Sequence, residues 1–215
     1  MMEQETGRGE TPVRGVLFDF GGVLAEEGFR EGLLAIGRRC GRDPEAVFHE
    51  GTEAVYDAGY VTGTGSEEDF WARFRRGCDP PETDDELTEE ILLRFLLRPR
   101  MLRMVRELRR RGYLTAILSD QTDWLDRLEA RDGFFHFFDR VFNSYHMGKG
   151  KRDPSVFAEI AAQLGLGRGQ LLFIDDNPGN VERARAMGLQ AVLFTDQPSC
   201  LAELEKLPVI AGDPT

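Results

Sequence analysis

Five short apolar runs, each of the length of a β-strand, most constrain what this chain can fold into. They are Val13–Asp19, Leu114–Ser119, Arg140–Asn143, Leu171–Asp175 and Gln190–Thr195. Segments with apolar residues at helical spacing lie between the later runs, as at Val105 and Leu108 before Gly112. Strands that are nearly uniformly apolar and alternate with helices are typical of a parallel sheet buried on both faces. We therefore predict an α/β fold in which helices cover both faces of a parallel sheet.

Residues 26–98 differ from the rest of the chain because they show helical periodicity and no convincing strand. Turn-forming segments such as Asp43-Pro44 and Asp79–Pro81 separate the helical patterns. The last pattern stops before Pro99, since the residue before a proline disfavours helix. The predicted organisation is a tail at 1–11, an α/β core at 12–25 and 99–206, an all-helical cap at 26–98 and a tail at 207–215.

Composition excludes several classes of partner. The chain of 215 residues carries a net charge of −11, and this acidity argues against nucleic acid or an anionic membrane surface as the main partner. No apolar stretch approaches the length that spans a bilayer. The three cysteines are an odd number without metal-like spacing, which favours reduced thiols and a cytoplasmic location.

Polar residues stand at the carboxyl ends of four predicted strands. Asp19 ends the first strand, Ser119-Asp120 end the second and Asp175-Asp176 end the fourth, while the third leads through Ser144 and His146 to the basic loop 148–152. Ligands bind at the carboxyl ends of parallel strands, where the strand order reverses. We therefore expect a nucleophilic acid, a hydroxyl, a cationic loop and a paired acid to meet at one edge of the sheet.

Four ordered motifs within residues 13–206 give the chain a family resemblance. The motifs are Phe18-Asp19-Phe20-Gly21-Gly22-Val23-Leu24, Ile117-Leu118-Ser119, Lys151-Arg152-Asp153-Pro154-Ser155-Val156-Phe157 and Phe173-Ile174-Asp175-Asp176-Asn177. In these segments the chain resembles the haloacid dehalogenase-like (HAD) hydrolases, in the branch with a helical cap and an Asp-x-Gly-Gly first motif. The resemblance implies a Rossmann-like core and an inserted helical cap that closes over the site.

The resemblance also implies a role for each motif residue. Asp19 would attack phosphorus and form an aspartyl-phosphate that water hydrolyses. Ser119 would donate a hydrogen bond to a phosphoryl oxygen, and Lys151 would offset negative charge. The implied cofactor is Mg²⁺, a hard ion that prefers oxygen ligands. Its ligands would be Asp19, the carbonyl oxygen of Gly21, Asp175 and Asp176, and the substrate would contact Gly21, Gly22, Ser119, Asp120 and Lys151.

Three positions depart from the family pattern. Gly21 stands where the family's phosphatases usually carry an aspartate that protonates the leaving oxygen, a loss that typically costs about 10²–10⁴-fold in rate. Asp120 replaces an asparagine and adds negative charge near the phosphate, and it is one hypothetical source of the missing proton. Arg152 replaces a proline and either contacts phosphate or alters the loop.

Each candidate residue also has a purely structural interpretation. Ser119 can simply end a strand, Asp175 or Asp176 can cap the next helix, and Lys151 can belong to a solvated basic loop. His146 is expected at the surface or in packing. The aromatic residues Tyr56, Tyr60 and Trp71 are expected to pack in the core of the cap rather than to line a substrate pocket.

Three functions remain open on the sequence. The favoured one is a Mg²⁺-dependent phosphatase of a small phosphomonoester, with a sugar phosphate as one candidate substrate. A 2-haloacid dehalogenase is the second, because halide leaves without a proton and Gly21 is then no handicap, although Asp175-Asp176 would repel a carboxylate substrate. The third is a weakly active or non-catalytic scaffold that binds a phosphorylated ligand.

Overall fold

The predicted parallel sheet is confirmed by a computed structural model, which describes residues 11–210. The strands are β1 (Gly15–Phe18), β2 (Leu114–Ser119), β3 (Arg140–Asn143), β4 (Leu171–Asp175) and β5 (Gln190–Leu193), in the spatial order β3-β2-β1-β4-β5. All neighbouring strands pair in parallel. The first strand lacks Val13, Arg14 and Asp19 of the predicted range, and the fifth lacks Phe194 and Thr195. Single hydrogen bonds from the amides of Asp19 and Phe194 to β4 continue past these ends without extending the regular pairing.

Ten α-helices surround this sheet in the described part of the chain. They are α1 (Gly28–Arg39), α2 (Pro44–Asp57), α3 (Glu67–Phe74), α4 (Asp84–Leu92), α5 (Pro99–Arg110), α6 (Trp124–Asp132), α7 (Ser144–Met147), α8 (Ser155–Gln163), α9 (Pro178–Ala186) and α10 (Gln197–Glu205).

Helices cover both faces of the sheet, as predicted. Leu17 of β1 packs in a cluster with the apolar residues of α8 and α9. Its neighbours Val16 and Phe18 point to the opposite face, where they share a cluster with α5, α6 and α10. This second cluster continues into the helices between β1 and β2, so one apolar core joins the sheet to the inserted helices.

The chain enters and leaves the helical insertion through two adjacent extended segments. The Glu26 amide donates to the Leu96 carbonyl at 2.9 Å, and the Arg98 amide donates to the Leu24 carbonyl at 2.8 Å. Helices α1 to α4 lie between these two crossings. The first crossing segment follows β1 and the second precedes α5. The insertion is therefore held beside the carboxyl edge of the sheet.

The predicted tails lie outside the described residues except at their inner ends. There the Thr11 carbonyl accepts a hydrogen bond from Gln190, and the Pro208 carbonyl accepts one from Tyr113. Cys40, Cys78 and Cys200 are free thiols, although the sulfur atoms of Cys40 and Cys78 lie 2.8 Å apart. Within residues 11–210, no helix is both long and apolar enough to cross a membrane.

Candidate active site

Two aspartates meet at the carboxyl edge where the strand order reverses. β1 and β4 are neighbours in the sheet, with Phe18 paired to Ile174, so Asp19 and Asp175 follow at the same level. The chain continues from β1 toward β2 on one side, while β4 and β5 lie on the other. This is the position at which parallel sheets form ligand sites.

The ammonium group of Lys151 bridges these two carboxylates. Its Nζ lies 2.8 Å from Asp19 Oδ2 and 2.6 Å from Asp175 Oδ2. The Lys151 side chain is 2% exposed and that of Asp175 is fully buried, so this ion pair is shielded from water. Lys149, the other lysine of the loop, points away and pairs with Glu159 at 2.6 Å.

Asp175 is fixed by further hydrogen bonds as well as by Lys151. The Asn177 amide donates to its Oδ1 at 2.7 Å, and Asn180 Nδ2 donates to both carboxylate oxygens at 3.1 and 3.0 Å. Arg183 holds Asn180 in turn by donating to its Oδ1 at 2.6 Å. Asn180 therefore orients Asp175, while the Asn177 side chain caps α9.

Asp176 completes a group of three carboxylates. Asp19, Asp175 and Asp176 each offer an oxygen atom, and these atoms all lie within 4.8 Å of one another. Gly22 makes room for Asp176, because its φ of +78° favours glycine and a Cβ there would lie 2.0 Å from Asp176 Oδ2. Gly22, the second glycine of the first motif, is thus required both by its backbone conformation and by the lack of room for a side chain.

The site holds more negative than positive charge, and burial and these charges shift the pKa values of its residues. Burial raises the pKa of Asp19 well above its ordinary value, Lys151 opposes this shift, and the charges of Asp175 and Asp176 add to it. Burial alone would lower the pKa of Lys151, but Asp175 and Asp19 together raise it above its ordinary value. Lys151 is therefore charged, and it neutralises only part of the carboxylate charge around it.

Asp120 anchors the loop that carries Lys151. Its Oδ1 and Oδ2 accept hydrogen bonds from the Lys151 backbone amide at 2.8 and 3.0 Å, and its Oδ2 also accepts one from the Tyr56 hydroxyl at 2.9 Å. The Arg152 guanidinium stacks 3.5 Å from the centre of the Tyr56 ring and pairs with Glu53 at 3.0 Å. Asp120 and Arg152 thereby connect the core loop to α2 of the insertion.

A cavity of about 370 Å³ opens above these groups. Asp19, Ser119, Asp120 and Lys151 contribute to its core side, and Ser119 is 1% exposed at the end of β2. The insertion contributes an aromatic and cationic side, which consists of Phe29, Arg30, Phe48 and Tyr56 among others. The site is thus enclosed between the carboxyl edge of the sheet and helices α1 and α2.

The other candidates divide between the cavity and packing roles. Tyr56 lines the cavity, contrary to the expectation that it packs in the core of the cap. Tyr60 and Trp71 are buried as expected, with the Tyr60 hydroxyl bonded to Asp123 and the Trp71 indole donating to Thr88. His146 is exposed and contacts Asp126 at 2.7 Å.

Glu27 is a site residue that the sequence analysis did not identify. It precedes α1, lines the same cavity as Asp19, and its Oε1 accepts a hydrogen bond from the Arg30 amide at 3.2 Å. Burial raises the pKa of Glu27 to about 7, and the charge of Asp176 is the second largest cause of this increase. No sequence signal marks this residue, because its approach to Gly21 depends on how the turn at residues 20–27 folds back.

Comparison with known proteins identifies the family. The family model for haloacid dehalogenase-like hydrolases matches residues 13–203. The chain belongs to the haloacid dehalogenase-like hydrolases. A phosphoserine phosphatase from Thermus thermophilus is 30% identical to this HAD hydrolase over 200 residues, which are 83% of this chain and 80% of that protein.

Two other proteins show the extent of the similarity. Bifunctional epoxide hydrolase 2 from Rattus norvegicus is 29% identical over 141 residues, which are 61% of this HAD hydrolase but only 25% of the rat protein. A HAD family enzyme from Bacteroides thetaiotaomicron has a TM-score of 0.71 at 20% identity, covering 89% of this chain and 99% of that chain. The Bacteroides enzyme has also been solved in complex with magnesium and inorganic phosphate.

Proposed function

We propose that this HAD hydrolase is a Mg²⁺-dependent phosphatase that removes phosphate from a small phosphomonoester through an aspartyl-phosphate on Asp19. The observation that carries the proposal is the cluster of three carboxylates around the buried ammonium of Lys151. Asp19 and Asp176 line the cavity, and Asp19 is thus placed as a nucleophile must be.

The donor set of the cluster fits a divalent cation. Three carboxylates against one ammonium leave two negative charges in excess, and all the available ligand atoms are oxygens within 4.8 Å of one another. Mg²⁺ prefers such hard oxygen ligands and usually keeps several waters. Asp19, Asp175 and Asp176 would hold it, with the Gly21 carbonyl as a further ligand. When bound, the ion would offset the repulsion between Asp19 and the phosphate and polarise a phosphoryl oxygen.

The residues of the chain supply the remaining chemistry. An Asp19 oxygen attacks phosphorus, the bond from phosphorus to the leaving oxygen breaks, and water then cleaves the aspartyl-phosphate. Lys151 holds the Asp19 carboxylate in place and offsets charge on the phosphoryl group. Ser119, buried at the end of β2 on the cavity side, donates a hydrogen bond to a phosphoryl oxygen.

The size and lining of the cavity support a small substrate. A volume of about 370 Å³ lies at the lower end of the range for small-molecule sites, roughly 300–1,000 Å³. Arg30 and Arg152 border it on the side of the insertion, together with Phe48 and Tyr56. A sugar phosphate is compatible with this mixture of cationic and aromatic groups. The similarity to a phosphoserine phosphatase also supports a small phosphorylated substrate.

A substrate panel tests this function. Purified protein is incubated with a set of phosphomonoesters, with added Mg²⁺ or with a chelator, and released phosphate is measured. We expect phosphate release that requires Mg²⁺. The same protein is given 2-chloropropionate, and halide release without Mg²⁺ would favour the dehalogenase instead. If neither phosphate nor halide is released, the non-catalytic scaffold is the better description.

A substitution at Gly22 tests the proposed metal site. We expect Gly22→Ala to raise the Mg²⁺ concentration for half-maximal activity roughly 10–100-fold, because the new Cβ displaces the Asp176 carboxylate. Gly133→Ala is the matched control. It places alanine at a similar positive φ of +62°, but nothing lies within 4 Å of the new Cβ. The metal assignment is wrong if both variants respond to Mg²⁺ like the wild type.

A further inference from the structure

We propose that Glu27 is the general acid–base residue of this enzyme and replaces the carboxyl group that position 21 lacks. Its carboxyl group would protonate the leaving oxygen and then take a proton from the attacking water. This inference rests on the proposed phosphatase function and names a catalytic residue for it.

The Glu27 carboxyl group lies directly against Gly21, on the side where a side chain of residue 21 would be. A Cβ built on Gly21 would lie 2.4 Å from Glu27 Oε2 and 3.4 Å from its Cδ. Inside an aspartate, Cβ and each carboxylate oxygen are also about 2.4 Å apart, given standard bond lengths. One oxygen of Glu27 therefore lies at the distance from residue 21 that an aspartate oxygen would have. Glu27 and Asp19 line the same cavity, so both face a substrate bound there.

In its present position, Glu27 also excludes a side chain at position 21. Contacts closer than 3.0 Å force a shift, so an aspartate at position 21 and the present Glu27 cannot both keep these places. Gly21 therefore leaves free the space that the Glu27 carboxyl group needs. A glycine that was needed only for a turn would not need a carboxylate against it. Moreover, the φ of Gly21 is outside the positive range that requires glycine.

A hydrogen bond to one of its two carboxylate oxygens holds the Glu27 side chain in place. Its Oε1 accepts the hydrogen bond from the Arg30 amide at the start of α1, while no residue of the described chain donates a hydrogen bond to Oε2. One oxygen therefore fixes the carboxyl group and the other stays available to the cavity. Helix capping alone does not explain the residue, because serine, threonine, aspartate and asparagine are the preferred caps.

The other candidate acid, Asp120, is already committed. Its two oxygens accept hydrogen bonds from the Lys151 amide and the Tyr56 hydroxyl, so both are used to hold these groups. Its carboxylate also lies against Gly150, where a Cβ would meet it at 2.8 Å. Asp120 therefore positions the loop of Lys151, and Glu27 is left as the carboxyl group that can exchange a proton.

The reaction balances with Glu27 in this role. As Asp19 attacks phosphorus, the bond to the leaving oxygen breaks and that oxygen takes the proton of the Glu27 carboxyl group, which yields an alcohol and the aspartyl-phosphate. The Glu27 carboxylate then removes a proton from water while the water oxygen attacks phosphorus. The bond between phosphorus and Asp19 breaks, and inorganic phosphate leaves with Asp19 ionised and Glu27 protonated again.

Leaving-group dependence tests the role of Glu27. We expect Glu27→Gln to lower kcat/KM for an alkyl phosphate by roughly 10²–10⁴-fold, because an alkoxide needs a proton to leave. With p-nitrophenyl phosphate the leaving group needs no proton, so the first step stays fast and only the second is slowed. We therefore expect a burst of about one p-nitrophenol per enzyme molecule, followed by slow turnover. Glutamine keeps the carbonyl oxygen that accepts from Arg30.

Two further variants separate catalysis from structure. Glu31→Gln makes the same chemical change on an exposed residue in the first turn of α1, and both substrates should react as with the wild type. The double variant Gly21→Asp/Glu27→Ala moves the carboxyl group to position 21. It should regain at least tenfold of the alkyl phosphatase activity lost in Glu27→Ala, which a merely structural role of Glu27 would not allow.

The outcomes distinguish this inference from the proposed function. Equal losses with both substrates, no burst and no recovery in the double variant overturn the assignment of Glu27, provided that the wild type is active and Asp19→Asn is not. If the wild type releases no phosphate from either substrate, the proposed function is overturned and the assignment falls with it.

Discussion

Replacing Asp19 with asparagine is expected to lower the rate of phosphate release by about 10⁴–10⁶-fold, the loss typical when an enzyme loses its nucleophile. The amide of asparagine is a poor nucleophile, and it carries no charge to hold a cation with Asp175 and Asp176. The measurement is phosphate release with Mg²⁺ on the best substrate of the panel. Asp126→Asn, which changes a partly exposed aspartate outside the cavity, should leave the rate unchanged.

The same substitution should not destabilise the protein. Burial raises the pKa of Asp19 well above its ordinary value, with Lys151 opposing and Asp175 and Asp176 adding to the shift. A carboxyl group whose pKa is raised on folding lowers the stability of the fold as the pH rises above its ordinary pKa, because the unfolded chain then releases the proton more readily than the folded one. In the presence of a chelator, we expect the Tm of Asp19→Asn to equal or exceed that of the wild type. An inactive variant with a much lower Tm would contradict this explanation, because the loss of activity would then reflect unfolding.

Replacing Lys151 with methionine is the second large expected effect, and it concerns stability as well as rate. Methionine has a similar length but no charge, so Asp175, which is fully buried, loses its only ammonium partner among the described residues. Removing one partner of a buried ion pair typically costs about 3–5 kcal/mol. For a chain of this size, that cost corresponds to a drop in Tm of roughly 6–20 °C. Thermal unfolding in the presence of a chelator measures it.

Lys149→Met is the matched control for this second prediction. Lys149 lies two residues away and pairs with Glu159 at a partly exposed position, where an ion pair contributes about 0–1 kcal/mol. We expect little change in Tm and unchanged phosphate release for this variant. Equal Tm values for Lys149→Met and Lys151→Met would mean that the buried pair does not stabilise the fold. Added Mg²⁺ should partly restore the Tm of Lys151→Met, because the ion supplies countercharge to the same carboxylates.

Much of the core could be predicted from local patterns. The apolar runs predicted the five strands, because a strand buried on both faces must be nearly uniformly apolar. They predicted the first and fifth strands as too long, since hydrophobicity does not record where hydrogen bonding to a neighbour ends. The positions of Asp19 and Asp175 at one edge followed from strand polarity alone, and the structure places them around Lys151.

The sequence by itself determined which residues end the strands, because side chains at strand ends follow directly from the order of the chain. Only the tertiary structure decided which groups meet across the cavity. Tyr56 reaches Asp120 over 64 positions, and Glu27 comes against Gly21 through a turn. Such contacts depend on how the inserted helices pack on the carboxyl edge. That packing is driven by the burial of apolar surface, which is non-directional, so the sequence of one apolar surface does not specify which other surface it packs against.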